Sequence, residues 1–157
     1  MKENYFKSVV MIERLHRLFL EVMKAELDRM KIRDINNVQC LVLYKVGMQQ
    51  VIIGDLKNYD YYLGSNVSYN LRKMIQNGYV VQQKRSCDGR SSVVKLSPKG
   101  IKLHEKLEEL FGIHADIYTR SLSASFSNAE SIHDMDTLNK LLINFESFLK
   151  SLQGKLT

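Results

Sequence analysis

Apolar residues recur at three- and four-residue steps over most of this chain, and near the middle the pattern gives way to two short β-prone runs. From Tyr5 to about Ile32 there is no Gly or Pro, and Met11, Leu15, Leu18, Phe19 and Val22 share one side. That spacing predicts an amphipathic helix on the order of 40 Å long. Asn36 or Asn37 can cap a second helix running to Val46, with Val38, Leu41, Val42 and Lys45 on its turns and Gly47 closing it. A short helix is predicted at roughly Gln50 to Asn58, with Ile53 and Leu56 inward, and another at about Ser65 to Asn77, ended by Gly78. The β-runs, near Val80 to Lys84 and Ser92 to Leu96, flank a turn supplied by Asp88-Gly89. Ser97-Pro98 then opens a helix, serine as cap and proline at the first helical position, which continues past Leu107, Leu110, Phe111, Ile117 and Tyr118. The stretch "SLSASFSN" breaks the pattern before a last helix from about Asp134 to Leu152, with Met135, Leu138, Leu142, Phe145 and Leu149 on one face.

This order of elements predicts a mainly α fold with a small β-hairpin (α+β), in which a helix-turn-helix is followed by a wing. One domain is expected over residues 1–157, with a winged helix-turn-helix lobe at 36–100. The terminal helices, 1–35 and 101–157, are too apolar along one face to stand alone. They are expected to pack together and against a second copy of the chain.

Charge sharpens the picture. The net charge is +6, and between Leu63 and Lys102 eight cations (Arg72, Lys73, Lys84, Arg85, Arg90, Lys95, Lys99 and Lys102) stand against a single acid, Asp88. That span accounts for the whole excess, and a basic stripe of this kind fits a polyanion.

Around the helix predicted at Ser65–Asn77, Val67, Leu71, Met74 and Ile75 share the core side. The opposite side holds Ser65, Asn66, Tyr69, Arg72, Lys73 and Gln76, and Ser68 joins them as a candidate contact. These are the hydroxyl, amide, aromatic and cationic groups that meet base edges and phosphates. A solvated helix face would look the same in isolation; the basic hairpin that follows favours DNA. In that hairpin Lys84, Arg85 and Arg90 crowd a tip with little apolar cover. Arg90 is a candidate for a minor groove, with Asp88 holding its guanidinium by a charge-assisted bond.

The stretch "NVSYNLRKMIQNGYVVQQKRSCDGRSSVVKLSPKG" resembles the helix, wing and following "L-[ST]-x-x-G" of the MarR family of winged helix-turn-helix regulators. The family's wing motif, Asp-x-Arg, is matched by Asp88-Gly89-Arg90, and "YYLGSNVSYNL" is similar to the LdtR-type subgroup. The resemblance implies a single MarR-type domain, a homodimeric bacterial regulator of double-stranded DNA, and affinity that responds to a small molecule. It also implies an effector pocket between the DNA-binding lobe and the dimer helices. Arg17, Leu20, Tyr44, Tyr59 and Tyr62 are the candidate lining residues, with plain core packing as the alternative for them.

Other classes have less behind them. There is no Gly-rich phosphate loop, G-x-S-x-G or HExxH, and no carboxylate pair stands out, so no enzyme, cofactor or metal is expected. His16, His104, His114 and His133 are scattered. The two cysteines, Cys40 and Cys87, are too few for a disulfide framework. Cys87 lies among basic residues that favour a thiolate, with Asp88 opposing them, so a redox-responsive regulator is one alternative. A winged-helix protein–protein module without a DNA role is another, disfavoured by the concentration of one charge sign. The beginning, "MKENYFKSVV", has charges where a signal peptide needs an apolar core, and no apolar run nears the ~18 residues of a membrane span. A cytoplasmic protein without a membrane partner is the expectation.

Overall fold

The structure, a computed structural model, describes residues 2–58, 67–84, 92–125 and 131–156. Two compact units form, Met1–Leu107 and Glu108–Thr157. The first contains α1 (Lys2–Arg29), α2 (Asn37–Val46), β1 (Val51–Ile52), α3 (Ile53–Asn58), α4 (Val67–Gln76), β2 (Val80–Lys84), β3 (Ser92–Leu96) and the first turns of α5 (Pro98–Ser125). The second holds the remainder of α5 and α6 (Ser131–Leu156). The result is the mainly helical winged-helix fold with a small sheet that the sequence predicts.

The core of the first unit is built around α2. Asn36 caps it by accepting from the Gln39 backbone N–H at 2.8 Å, and the Gln39 side chain accepts in return from the Asn36 backbone N–H at 3.2 Å. This reciprocal cap satisfies two donors that a helix start otherwise leaves unpaired. Asn37 donates from Nδ2 to the Leu20 carbonyl at 2.8 Å, which ties the start of α2 to α1. The buried side of α2 is Gln39, Cys40, Val42, Leu43 and Val46. Of the residues read along its turns, Val42 is buried, Val38 and Leu41 are half-buried and Lys45 is exposed. α2 packs against α1, α4 and β3.

The sheet has the order β1-β3-β2, both pairs antiparallel. The β2–β3 hairpin runs in register from Val80↔Leu96 to Lys84↔Ser92, matching the predicted runs at both ends. The sequence assigns Gln50 to Asn58 to a helix, yet Val51 and Ile52 form β1, paired with Val94 and Val93. These β-branched residues cover the open edge of β3, and only Ile53–Asn58 is helical.

Three helix boundaries also differ from expectation. α1 stops at Arg29, where Lys31 takes a left-handed conformation (φ 58°), with Lys31 N bonded to Asp28 O and Ile32 N to Leu27 O. α5 carries on through the whole of "SLSAS" to Ser125, and α6 spans Ser131–Leu156 rather than Asp134 to Leu152. Serines are indifferent rather than hostile to a helix when a long apolar stripe continues on both sides.

The faces predicted to bury the terminal helices are exposed in the single chain. On α1 only Met23 and Leu27 are buried, while Met11 and Leu15 are 50% and 56% exposed. Leu18, Phe19 and Val22 are exposed too. In the second unit Met135, Leu138 and Leu142 are exposed, and Phe145 and Leu149 half-buried. No helix among the described residues is long and apolar enough to cross a membrane.

Candidate nucleic-acid interface

Helix α4 has two opposed stripes. Leu71 and Met74 are buried, Asn70 is buried beside them, and Ile75 is half-buried. Tyr69, Arg72, Lys73 and Gln76 occupy steps i, i+3, i+4 and i+7 on the other side, and all are exposed, Tyr69 by 57%. Ser68 is exposed next to them. Of the predicted contacts on this segment, Ser65 and Asn66 lie outside the described residues, as does the side chain of Val67.

The end of α4 is closed by a Schellman arrangement. Tyr79 N donates to Met74 O at 2.9 Å and Gly78 N to Ile75 O at 3.0 Å, with Gly78 at φ 75°. A glycine is needed there because the left-handed region costs any other residue about 1 kcal/mol or more.

A polar cluster that the sequence does not announce then fixes this junction. The Asp34 carboxylate accepts from Tyr79 Oη at 2.6 Å and from Lys99 Nζ, and Asn77 donates from Nδ2 to the Asp34 carbonyl. Lys99 Nζ also donates to the Asn77 carbonyl at 2.8 Å and lies 4.1 Å from the Tyr79 ring centroid. Ser97 donates to the Gly78 carbonyl at 2.5 Å and accepts from Gly100 N at 3.0 Å, capping α5 as predicted. Lys99, counted in sequence with the basic span, is thus held by an acid from outside that span.

Burial acts to raise the Asp34 pKa, but the bonds from Lys99 and Tyr79 and the Lys99 charge outweigh it and leave the carboxyl below its ordinary 3.8. Burial and the adjacent Asp34 push the Tyr79 phenol up. A depressed carboxyl stabilises the fold fully above its unfolded pKa, and that contribution is lost as pH falls through the folded value. The melting temperature of Asp34→Asn should lie below wild type at pH 6. The gap should close as pH drops below about 3.8; an unchanging gap down to pH 2.5 would exclude the carboxylate as its origin. The effect is modest, because both Asp34 and Lys99 side chains are half-exposed.

Strands β2 and β3 carry the wing. Lys84 ends β2, its side chain lying with Arg85, Cys87, Asp88 and Arg90 outside the described residues. The register brackets 85–91 as the connection between the strands.

The predicted effector set is only partly described. Tyr44 is half-buried, its ring stacked on His104 at 5.1 Å between centroids and 14° between planes. Leu20 is half-buried, Arg17 is exposed, and Tyr59 and Tyr62 fall outside the described residues. A shallow cleft of about 390 Å³ lies elsewhere, lined by Met48, Gln50, Val81, Lys95, Leu96, Ser97, Pro98 and Ile101. Cys40 is fully buried, and burial pushes its thiol up to about 12, so it stays protonated and poorly nucleophilic.

A helix-turn-helix whose second helix shows a cationic and amide stripe, backed by a β-hairpin, defines a winged-helix DNA-binding protein. A family model described as a winged helix DNA-binding domain matches residues 35–100. The exopolysaccharide II synthesis transcriptional activator ExpG of Rhizobium meliloti is 30% identical over 139 residues, covering 88% of this chain and 70% of that protein. Among solved structures, a MarR transcriptional regulator from Methanosarcina mazei Go1 aligns with a TM-score of 0.68 at 23% identity, over 94% of this chain and 98% of that one. FabT of Streptococcus pneumoniae, solved in complex with DNA, aligns with a TM-score of 0.70 at 16% identity, over 94% and 99%. The chain belongs to the MarR family of winged-helix transcriptional regulators. It is a DNA-binding regulator and not an enzyme.

Proposed function

We propose that the chain acts as a homodimer on a pseudo-palindromic operator in the bacterial cytoplasm, inserting α4 of each protomer into the major groove. The carrying observation is the stripe Tyr69, Arg72, Lys73 and Gln76, exposed opposite buried Leu71 and Met74. A groove about 12 Å wide admits such a helix. Ser65, Asn66 and Ser68, near its start, complete the base-facing set. Lys84, Arg85 and Arg90 of the wing hold flanking phosphates, with Asp88 aiming Arg90 at a minor groove. FabT, a protein of this fold, is seen on DNA.

Support for the dimer comes from α1, whose exposed Met11, Leu15 and Leu18 leave an apolar face that a second copy would cover. Two copies would present two α4 helices to half-sites about 34–36 Å apart. A small-molecule effector acting through Arg17, Leu20, Tyr44, Tyr59 and Tyr62 completes the reading, and the likeness of "YYLGSNVSYNL" to the LdtR-type subgroup supports assigning the chain to that subgroup.

Selection of bound fragments from random duplex DNA tests this directly. A pseudo-palindromic site should emerge. Tyr69→Ala and Arg72→Ala should each cost about 1–3 kcal/mol against that site and much less against random sequence. Unchanged base preference in both variants would mean that α4 is not the reading helix.

A further inference from the structure

Gln39 and Asn70 form a hydrogen bond inside the core of the first unit, from Gln39 Nε2 to Asn70 Oδ1 at 3.3 Å. They are 5% and 7% exposed, and Asn70 lies on the packing side of α4 beside Leu71 and Met74. For stability alone, two apolar side chains of similar shape would serve as well or better, since burying amides gains little net free energy. What an amide pair adds is direction. Contacts of Leu71 and Met74 are non-directional and tolerate rotation of a short helix, whereas a hydrogen bond weakens steeply as it is misaligned.

We infer that the Gln39–Asn70 bond is a positioning contact that sets the rotation of α4 about its axis, and so the direction in which Tyr69, Arg72 and Lys73 face DNA. The inference rests on the reading of α4 as the groove helix. Asn70 follows Tyr69 directly, so the angle between their side chains is fixed by the helix itself, about 100°. Gln39 is a rigid reference. Its Oε1 accepts from the Asn36 backbone, and Asn37 anchors the same end of α2 to the Leu20 carbonyl. The far end of α4 is held separately through Tyr79, Asp34 and Lys99. Two fixed points, one in each half, define the helix orientation. A rotation of about 20° would carry a side-chain end about 6 Å from the axis through roughly 2 Å. That is enough to break a hydrogen bond to a base edge.

Two variants separate positioning from stability once wild type has selected its site from random DNA. Gln39→Leu/Asn70→Leu removes both amides together, and with them the Gln39 half of the α2 cap; its urea midpoint should stay above that of Asn70→Asp, while the affinity ratio of the selected site to a scrambled duplex falls about tenfold. Asn70→Asp keeps the acceptor oxygen; it should lose stability yet hold that ratio within about threefold of wild type. Discrimination would thus follow the acceptor and run against stability. The salt slope of binding should not change in either, since phosphate contacts are untouched. If the double-leucine protein does not fold, Asn70→Asp against Asn70→Ala carries the same contrast. Equal discrimination by variants with and without the acceptor, or discrimination that follows the urea midpoint, overturns the inference. Failure of the wild-type protein to select any site would instead overturn the functional reading beneath it.

Discussion

Affinity for duplex DNA is expected to fall ~10³–10⁵-fold between 50 and 200 mM salt, for a dimer that neutralises on the order of 6–10 phosphates. The reasoning begins with where the cations stand. Arg72 and Lys73 are exposed on α4, and Lys84, Arg85 and Arg90 belong to the wing and its connection. Lys99 is left out of that count, because Asp34 and the Asn77 carbonyl already occupy its ammonium. Arg90→Ala should weaken binding and flatten the slope of log affinity against log salt, since each dimer loses two cations. Asp88→Ala is the more telling change. It raises the net charge, yet it should weaken binding if Asp88 aims the Arg90 guanidinium. Tighter binding by Asp88→Ala would show that bulk charge rules and the pairing is incidental. A wild-type affinity that scarcely responds to salt would contradict an electrostatic grip altogether.

How much of this was legible in the sequence follows from how local each signal is. The start of α5 is written in two adjacent residues, Ser97 and Pro98, and the hairpin strands emerge with both ends correct. The stripe on α4 could be read because Tyr69, Arg72, Lys73 and Gln76 repeat at helical spacing. β1 could not, since two residues become a strand only when Val93 and Val94, some forty positions on, offer them an edge. The end of α1 lacked its usual marker. Lys31 takes the left-handed position that Gly78 takes after α4, and nothing in a lysine forecasts that. Gln39 does carry a local signal: an amide three residues after Asn36 is the signature of a reciprocal cap. Its second bond, to Asn70, depends on the packing of α2 against α4 and has no trace in either segment alone. Lys99 shows the same limit for charge, because its partner Asp34 is 65 residues away.

Gly100→Ala should be the most destabilising single-methyl addition among the described residues, by about 3 kcal/mol or more. The "LSPKG" glycine is not there for its conformational freedom; it lies within α5 and needs no positive φ. It is there for space. A Cβ at residue 100 would fall far inside van der Waals contact distance of the Tyr79 carbonyl oxygen, 3.1 Å from the carbonyl carbon and 3.3 Å from Leu96 Cβ. Those are backbone and strand atoms rather than a side-chain end that could swing aside. The Tyr79 carbonyl is itself engaged, accepting from Ser97 N at 3.0 Å, and Tyr79 closes α4 through its bond to Met74 O. To admit a methyl group, the first turn of α5 must move away from Tyr79 and the end of β3, and Ser97, Lys99 and Asp34 sit on that same seam. The loss should therefore reach the junction that holds α4 as well as the fold. A control is built into the same helix. Gly112 has nothing within 4 Å of its would-be Cβ, and it is exposed. There the same substitution only restores helix propensity and should stabilise by up to about 1 kcal/mol. Urea midpoints of the two variants should move in opposite directions from wild type. If Gly100→Ala unfolds at the wild-type midpoint, the close passage of α5 over Tyr79 is wrong.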